Sequence, residues 1–419
     1  MKGDLLVLSK WNSGGVRSSA EAARRLGYRP ILVSADAEDL NRDSCHRHIV
    51  FDWEEGSIDD LAALLAQSEV RPLAVLNRVE ALGEWQVRIS RYFGLPGGEA
   101  GRDVLLSKAR VRQAMSELGL GSVRHVSGLA GDASLVSSVD FYPAIVKPSR
   151  QSGASRLVKL VRDPERLAAQ LHRIATVDGP LAEVVIESYV EGLEFSVDGP
   201  VVDGRLRPLF VCDKPDYDYD RQQEGGVLVS PPDDERVRAG VQPLVEQVSA
   251  LCASLDIGPV WLHAEGRRTS DGSVELIEIN PRCGGGATAL GIRHVHGLHV
   301  GEVLTRMALP EGWQPPSELL GSDTWAHHQR VAQLPVGADQ VGLVTAKFSA
   351  AELTRIDGVV DAIVLDSLEV TSLERENFFV HVLLTAPDTP ALRALADRVR
   401  SAMSFEVIEE AESKAPQHA

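Results

Sequence analysis

The stretch LHAEGRRTSDGSVELIEINPRCGGG, residues 262–286, constrains this chain more than any other. Apolar and polar residues alternate through VELIEIN, as they do in a strand whose successive side chains point to opposite faces, and Ser270, Asp271 and Gly272 supply a turn that folds LHAEG back beside it. Strict alternation puts Glu278 and Asn280 on one face with Leu276, and Ile277 and Ile279 on the other. The turn brings Glu265 beside Glu278. Three oxygen donors on one face, followed by Pro281, Arg282 and the glycines 284–286, predict a site and not a plain core hairpin. Such donors suit a hard dication, Mg²⁺ or Mn²⁺ in its place, which shares its coordination between carboxylates and substrate phosphates.

The segments before this hairpin read as alternating strands and helices. DLLVLS (4–9), the turn-rich KWNSGG, the helical VRSSAEAARRLG and the strand PILVSAD form one β-α-β unit. After the helical DDLAALLAQ, PLAVLN (72–77) adds another strand, so residues 1–100 are expected to form a parallel α/β domain that ends at GLPGGEAG. Ser107 is placed to cap the helix KARVRQAMSELG, which Gly119 stops. The strands FYPAIVKPS and LVKLV flank the loop RQSGASR within 101–192, ahead of a helix near 164–175. VVIESYVEGLEFSVDGPVVDGRLRPLFV then alternates as two or three strands with a hairpin turn at VDGR, which starts a second α+β unit, 193–320. Residues 321–419, with GLVTAKFS, GVVDAIVLD, FFVHVLLTA and the amphipathic TPALRALADRVRSAM, predict a small C-terminal α+β domain. EEAESKAPQHA reads as a frayed tail.

Charge narrows the function classes. Sixty acidic against 43 basic residues give a formal net charge of -17, and the bases form no cluster, which argues against nucleic-acid binding. No apolar run approaches the roughly 18 residues of a membrane span, and LLVL is too short for a signal-peptide core. Cys45, Cys212, Cys252 and Cys283 are scattered without a CxxC pair, so reduced thiols and a cytoplasmic location are expected.

Two lysines complete the pattern. Lys108 lies in the first turn of its helix, and Lys147 precedes the loop Gln151, Ser152, Gly153, Ala154 and Ser155, whose backbone N–H groups can approach phosphate oxygens unobstructed. The GxxxxGK[ST] spacing of a Walker loop is absent.

In this order, SKARVRQAMSELGL, PAIVKPSRQSGASRLVKLV, VVIESYVEGLEFSVDG and LHAEGRRTSDGSVELIEINPRCGGG resemble the ATP-grasp carboxylate–amine ligases over residues 107 to about 300. The resemblance implies an ATP-grasp fold preceded by the α/β domain and followed by the α+β domain. It makes Lys108 and Lys147 the nucleotide lysines and residues 151–155 the lid over the phosphates. Glu187, Tyr189 and Val190 would belong to the hinge beside adenine, and Glu194 would bind the ribose hydroxyls. Glu265, Glu278 and Asn280 would hold Mg²⁺. Arg282 would steady an acyl phosphate and the oxyanion formed when an amine attacks it, which suits a delocalised, multidentate cation. Gly284, Gly285 and Gly286 would offer backbone N–H groups to a substrate carboxylate. Glu224, in DKPDYDYDRQQEGGVLVSPPD, would read an amino group. Within the superfamily the chain is most similar to the L-amino-acid ligases that make dipeptides, through HAE-x12-E-x3-R and the third domain. An ADP-forming amide or peptide ligase acting on small carboxylates and amines, amino acids among them, is the expectation. A homodimer is expected on base rates alone.

Other readings meet specific objections. Asp36 ends a strand about where a nicotinamide cofactor's ribose would be bound, but NSGG supplies only two of the three spaced glycines that site needs. Cys283 has no patterned His or Asn to activate it as a nucleophile. His294, His296 and His299 lack a fourth ligand for zinc and are expected to border the substrate pocket or cap a helix. A catalytically inactive ATP-binding module acting as partner or sensor, and another ATP-grasp reaction such as carboxylation, are the alternatives to a ligase. Intact Glu265, Glu278, Asn280 and Arg282 argue against the first, and the lack of further carboxylase signatures argues against the second.

Overall fold

Leu5, Leu6, Val7 and Leu8 are buried on both faces of one strand, which a parallel sheet covered by helices on each side requires. The structure, a computed structural model, describes residues 2–408 except 11–14, 152, 154, 215, 219–222 and 374, and gives no side-chain burial for 215–225. In the N-terminal sheet the strands Arg47–Val50, Arg29–Ser34, Asp4–Ser9 and Pro72–Leu76 lie in that order, all parallel. Arg47–Val50 escapes the sequence reading because it is a short edge strand, RHIV, with exposed ends and no aliphatic run.

The next unit is an antiparallel sheet in the order His125–Leu129, Glu183–Ser188, Ala144–Pro148 and Lys159–Val161. Helix Pro164–Asp178, capped by Asp163, packs Leu167, Leu171 and Ile174 onto it. A second antiparallel sheet is built on Leu193–Val202, with Val260–Arg268 on one side and Val274–Asn280 beyond that. Helix Glu235–Ser254 covers its inner face through Val241, Leu244, Val248 and Leu251. The expected division at residue 320 is crossed by a sheet. Leu228–Ser230 pairs with Val331–Gly337, which pairs with Phe378–Thr385 and so reaches Val359–Val364. VAQLPVG hides as a strand because it contains Pro335, and the pairing with Leu228–Ser230 extends only to Gln333, short of that proline.

One irregularity sets the geometry of the second sheet. Glu265 lies opposite Glu278, but Gly266 lies opposite Leu276, so Ile277 is the extra residue of a β-bulge. Strict alternation therefore fails. Val274, Leu276 and Ile279 enter the core under helix Glu235–Ser254, whereas Ile277, Glu278 and Asn280 face a cleft. The reading that grouped Leu276 with Glu278, and Ile277 with Ile279, is corrected by this single inserted residue, which reverses side-chain parity.

The bulge also binds the two sheets together. Ile277's carbonyl accepts from Arg112 Nη2 at 3.1 Å and from Lys147 Nζ at 3.3 Å. Arg112 stands on helix Lys108–Glu117, which Ser107 caps and whose first N–H bonds Ser149's carbonyl. Both cations also grip Glu187, whose carboxylate accepts from Arg112 Nε at 2.6 Å and lies 2.8 Å from Lys147 Nζ. Burial alone would raise Glu187's pKa, but the two cations outweigh it and hold the group at about 2.

Leu276→Ala is expected to lower stability by about 2–5 kcal/mol through an unfilled core cavity, and Ile277→Ala by less than about 1.5 kcal/mol, in urea unfolding. The reverse order, with Ile277→Ala the more costly, would mean that the strand alternates without a bulge. Because Glu187's folded pKa lies below its unfolded value, its contribution is complete above pH 4.5 and is lost as pH falls from there toward 2. Stability should drop by roughly 3 kcal/mol across that window from this group. Glu187→Gln should be less stable at pH 7 and show a shallower acid slope; an unchanged slope would remove Glu187 from this role.

Candidate active site

The two antiparallel sheets face each other across a cleft of about 500 Å³ that the N-terminal and C-terminal units close at one end. Its wall changes character along its length. At one end Val123, Ile145, Val158, Tyr189 and Ile277 make an apolar slot beside Lys147 and Glu187, a lining suited to a flat aromatic ring with charge next to it. In the middle stand Glu265, Glu278 and Asn280. Arg78, Glu80, Arg282, Gly285, Gly286, Gln333, Phe378 and His381 surround the other end.

The central carboxylates lie opposite each other on paired strands. Glu265 Oε1 is 2.8 Å from Lys214 Nζ and 3.1 Å from His263 Nε2. Glu278 Oε1 is 3.2 Å from Lys108 Nζ and accepts from Asn280 Nδ2 at 3.1 Å. Burial raises the pKa of both, but the neighbouring cations outweigh it, so both stay ionised, while Glu265's charge works against Glu278's. That mutual repulsion favours a dication between them. Among the described residues no three His, Cys, Asp or Glu side chains group closely enough to hold a metal alone. Two carboxylates and an amide oxygen fit an ion that takes its remaining ligands from bound phosphate and water, as Mg²⁺ does.

Ion pairs pin the surrounding acids. Glu194 lines the cleft, with Oε2 held by Arg267 Nε at 2.7 Å and Oε1 3.2 Å from Lys214 Nζ. Arg267 also donates to Val190's carbonyl at 2.7 Å and lies over the Tyr189 ring at 5.1 Å, so the segment between the sheets is fastened to the second one. Asp198 faces His263 across the strand pair, its Oδ2 2.6 Å from Nδ1. Burial would lower His263's pKa, but Asp198 and Glu265 outweigh it and raise it to about 10, so the imidazolium is held between two carboxylates.

The structure assembles most of the predicted residues and reassigns several. Lys147, Gly153, Ser155, Glu187, Tyr189, Val190, Glu194, Glu265, Glu278, Asn280, Arg282, Gly285 and Gly286 line one cleft. Lys108 is not on the wall; it meets Glu278 and Glu80 from behind. Gln151 lies on the exposed loop with φ 53° and is not part of the lining. Ser152 and Ala154 lie outside the described residues, as does the Glu224 side chain, although Glu224 itself pairs with Tyr217 in a hairpin. Gly284's N–H is committed to Asp198 Oδ1 at 2.7 Å, so an N–H for a substrate falls to Gly285 and Gly286. A Cβ on Gly284 would sit 2.8 Å from His263 Nδ1, and one on Gly286, at φ 60°, 2.8 Å from His381 Nδ1.

The three histidines are placed away from the cleft. His296 ends helix Thr288–His296 and bonds Leu209's carbonyl at 2.7 Å, and His299 is the N-cap residue of helix Val300–Ala308 without a side-chain cap bond. None of His294, His296 and His299 lines the cleft, which corrects the expectation of a pocket border. Cys283 packs in a buried cluster with Phe210 and Trp261, and burial raises its thiol pKa.

Sequence reasoning missed Arg112, Lys214, Arg267, Asp198, His263 and Glu80. Arg112 had a signal, since it stands four residues after Lys108 and so on the same helix face. Asp198 had none, because its partner is fixed only by the register of Leu193–Val202 against Val260–Arg268.

Residues 140–290 match the family model of the ATP-grasp domain. An uncharacterised protein of Sinorhizobium fredii, y4rH, is 26% identical over 296 residues, 68% of this chain; the chain spans only 59% of that relative's length. The L-amino acid ligase from Bacillus licheniformis superposes with a TM-score of 0.77 at 18% identity, covering 98% of this chain and 99% of that one. N5-carboxyaminoimidazole ribonucleotide synthetase from Thermotoga maritima gives a TM-score of 0.67 at 11% identity, covering 97% and 100%. Residues 140–290 thus match the ATP-grasp domain, and the chain around them shares its fold from end to end with these solved structures.

Proposed function

We propose that this protein is an ADP-forming carboxylate–amine ligase that makes an amide or peptide bond, with an amino acid as substrate. In the first step a carboxylate oxygen of the substrate attacks the γ-phosphorus of ATP, and the bond to the bridging oxygen breaks, giving acyl phosphate and ADP. In the second an amine nitrogen attacks the acyl carbon, phosphate leaves, and the amine's proton passes to solvent or a nearby base. Such transfer rests on positioning and charge neutralisation more than on covalent chemistry from the protein.

The observation that carries the reading is the cross-strand pair Glu265 and Glu278, with Asn280, midway along one cleft between an apolar slot and Arg282. Glu265, Glu278 and Asn280 would hold Mg²⁺, which supplies neutralisation of phosphate charge when bound. Ile145, Val158 and Ile277 form the wall for adenine, and Lys147 is close enough to Glu187 to exchange that partner for a phosphate. Glu194, fixed by Arg267 and Lys214, faces the ribose. Arg282 places a guanidinium where negative charge develops on the acyl oxygen. A cytoplasmic location fits the four free thiols, and among the described residues no helix is long and apolar enough to cross a membrane.

The test is ADP release from Mg-ATP over pairs of carboxylic acids and amines, with bicarbonate included so that a carboxylation reaction would register, and mass spectrometry of the product. An amide product is expected. If no pair yields ADP above background, the ligase reading fails. Glu278→Ala should reduce turnover to background with thermal unfolding still cooperative, whereas unchanged function in cells would favour an inactive binding module. Arg282→Ala should lower kcat by about 10²–10³-fold, and EDTA should abolish turnover until Mg²⁺ is restored.

A further inference from the structure

Glu80 is the one carboxylate that the N-terminal unit contributes to the cleft among the described residues. It begins the short turn Glu80–Leu82, just beyond the strand Pro72–Leu76. Its Oε2 accepts from Arg282 Nη2 at 3.0 Å, and its Oε1 lies 4.0 Å from Lys108 Nζ. A Cβ on Gly153 would come within 3.0 Å of Oε2, so the loop after Lys147 closes directly over this carboxylate.

The Glu80–Arg282 pair differs from the structural pairs around it. Arg112 and Glu187 are sealed, with 5% and 6% of their side chains exposed, whereas Arg282 and Glu80 keep 26% and 20%. Both members of the second pair therefore present accessible surface to the same cleft. Two opposite charges side by side in a cleft wall are the charge-reversed image of a zwitterion. In an α-amino acid the ammonium nitrogen and a carboxylate oxygen are joined through two backbone atoms and lie roughly 3 Å apart, close to the 3.0 Å between Glu80 and Arg282.

We propose that Glu80 and Arg282 read the two charges of one α-amino acid, Glu80 taking its ammonium and Arg282 the carboxylate that is to be activated. The inference rests on the ligase reading only for the statement that this carboxylate is activated; the recognition itself needs no turnover. It assigns the acyl donor to free α-amino acids and excludes plain carboxylic acids and N-acylated amino acids. Without the ammonium, Glu80 would face the donor's own negative charge, and a site built around a polar partner rejects the analogue that lacks it.

The experiment uses the full chain with Mg-ADP. The twenty proteinogenic L-amino acids are titrated by calorimetry, and each that binds is compared with its des-amino acid, for example L-alanine with propionate or L-phenylalanine with 3-phenylpropionate. The expected result is a preference of at least tenfold for the amino acid, reduced toward one in Glu80→Gln and retained in Glu80→Asp. The idea is overturned if no amino acid binds better than its des-amino partner, or if Glu80→Gln weakens both equally and keeps the ratio, which would leave Glu80 a positioning residue for Arg282. If Glu80→Gln fails to unfold cooperatively, the wild-type ratio and Glu80→Asp still decide. ADP release is scored separately. Preferential binding without ADP release sinks the ligase reading alone, and ADP release from des-amino acids without preference sinks this one alone.

Discussion

Ile277's carbonyl oxygen is the point on which the two sheets depend. In an unbroken antiparallel pair it would be spent on the ladder or on solvent; the bulge turns it toward Arg112 and Lys147. Those cations belong to the preceding unit, one on its helix and one on its sheet, and both hold Glu187. One backbone oxygen and one carboxylate thus fasten a unit that covers the cleft to the unit that floors it. The same inserted residue shifts parity, so that Ile277 and Glu278 both reach the cleft while Leu276 stays in the core. Without the bulge either the apolar slot would lose Ile277 or the centre would lose Glu278.

The cleft is electrically balanced, although the chain carries a net charge of -17. Glu187, Glu194, Glu265, Glu278 and Glu80 each meet at least one of Arg112, Lys147, Arg267, Lys214, Lys108 and Arg282. Removing one partner from such buried pairs is far more costly than forming them is favourable. The network therefore does more to fix positions than to add stability, and its cations stand ready for an incoming phosphate chain accompanied by a dication. Under the proposed ligation, Lys147 and Arg282 change partners and do not move far, because Glu187 keeps Arg112 and Glu80 gains an ammonium.

What could be read from the sequence followed from locality. The Asp4–Ser9 to Arg29–Ser34 unit, the Ser107 cap and the turn that sets Glu265 against Glu278 depend on residues close in the chain, so periodicity and turn chemistry reveal them. The bulge left one trace, the adjacent apolar pair Leu276 and Ile277 that interrupts the alternation of VELIEIN, but only the pairing with HAEGRR shows which residue is inserted. The strand Leu228–Ser230, the role of Asp198 and the arrival of Glu80 were likewise hidden, since each depends on a partner dozens of residues away or more. Gly284 was read as a substrate contact because a glycine run looks permissive; its N–H is already bonded to Asp198.

This difference has a physical consequence for specificity. The half of the cleft proposed for the nucleotide comes from Lys147 to Val190 and from the Glu265–Asn280 hairpin, two compact stretches inside the matched 140–290 domain. The other half is gathered from Arg78 and Glu80 at one end of the chain and Gln333, Phe378 and His381 at the other. Burial lowers His381 to about 4, so its ring is uncharged at neutral pH, and Phe378 meets it edge-on at 5.5 Å, while Glu376 adds a carboxylate to the same wall. Side chains there can be exchanged without disturbing the bulge, the Glu187 cluster or the central carboxylates, because none of them shares a hydrogen bond with His381 or Phe378 among the described contacts. A fold shared end to end at 11–18% identity is then compatible with different acids and amines, and under the proposed ligation the residues that choose them would lie in the outer two units, where Glu80 would meet the ammonium and the C-terminal sheet would shape the rest of the pocket.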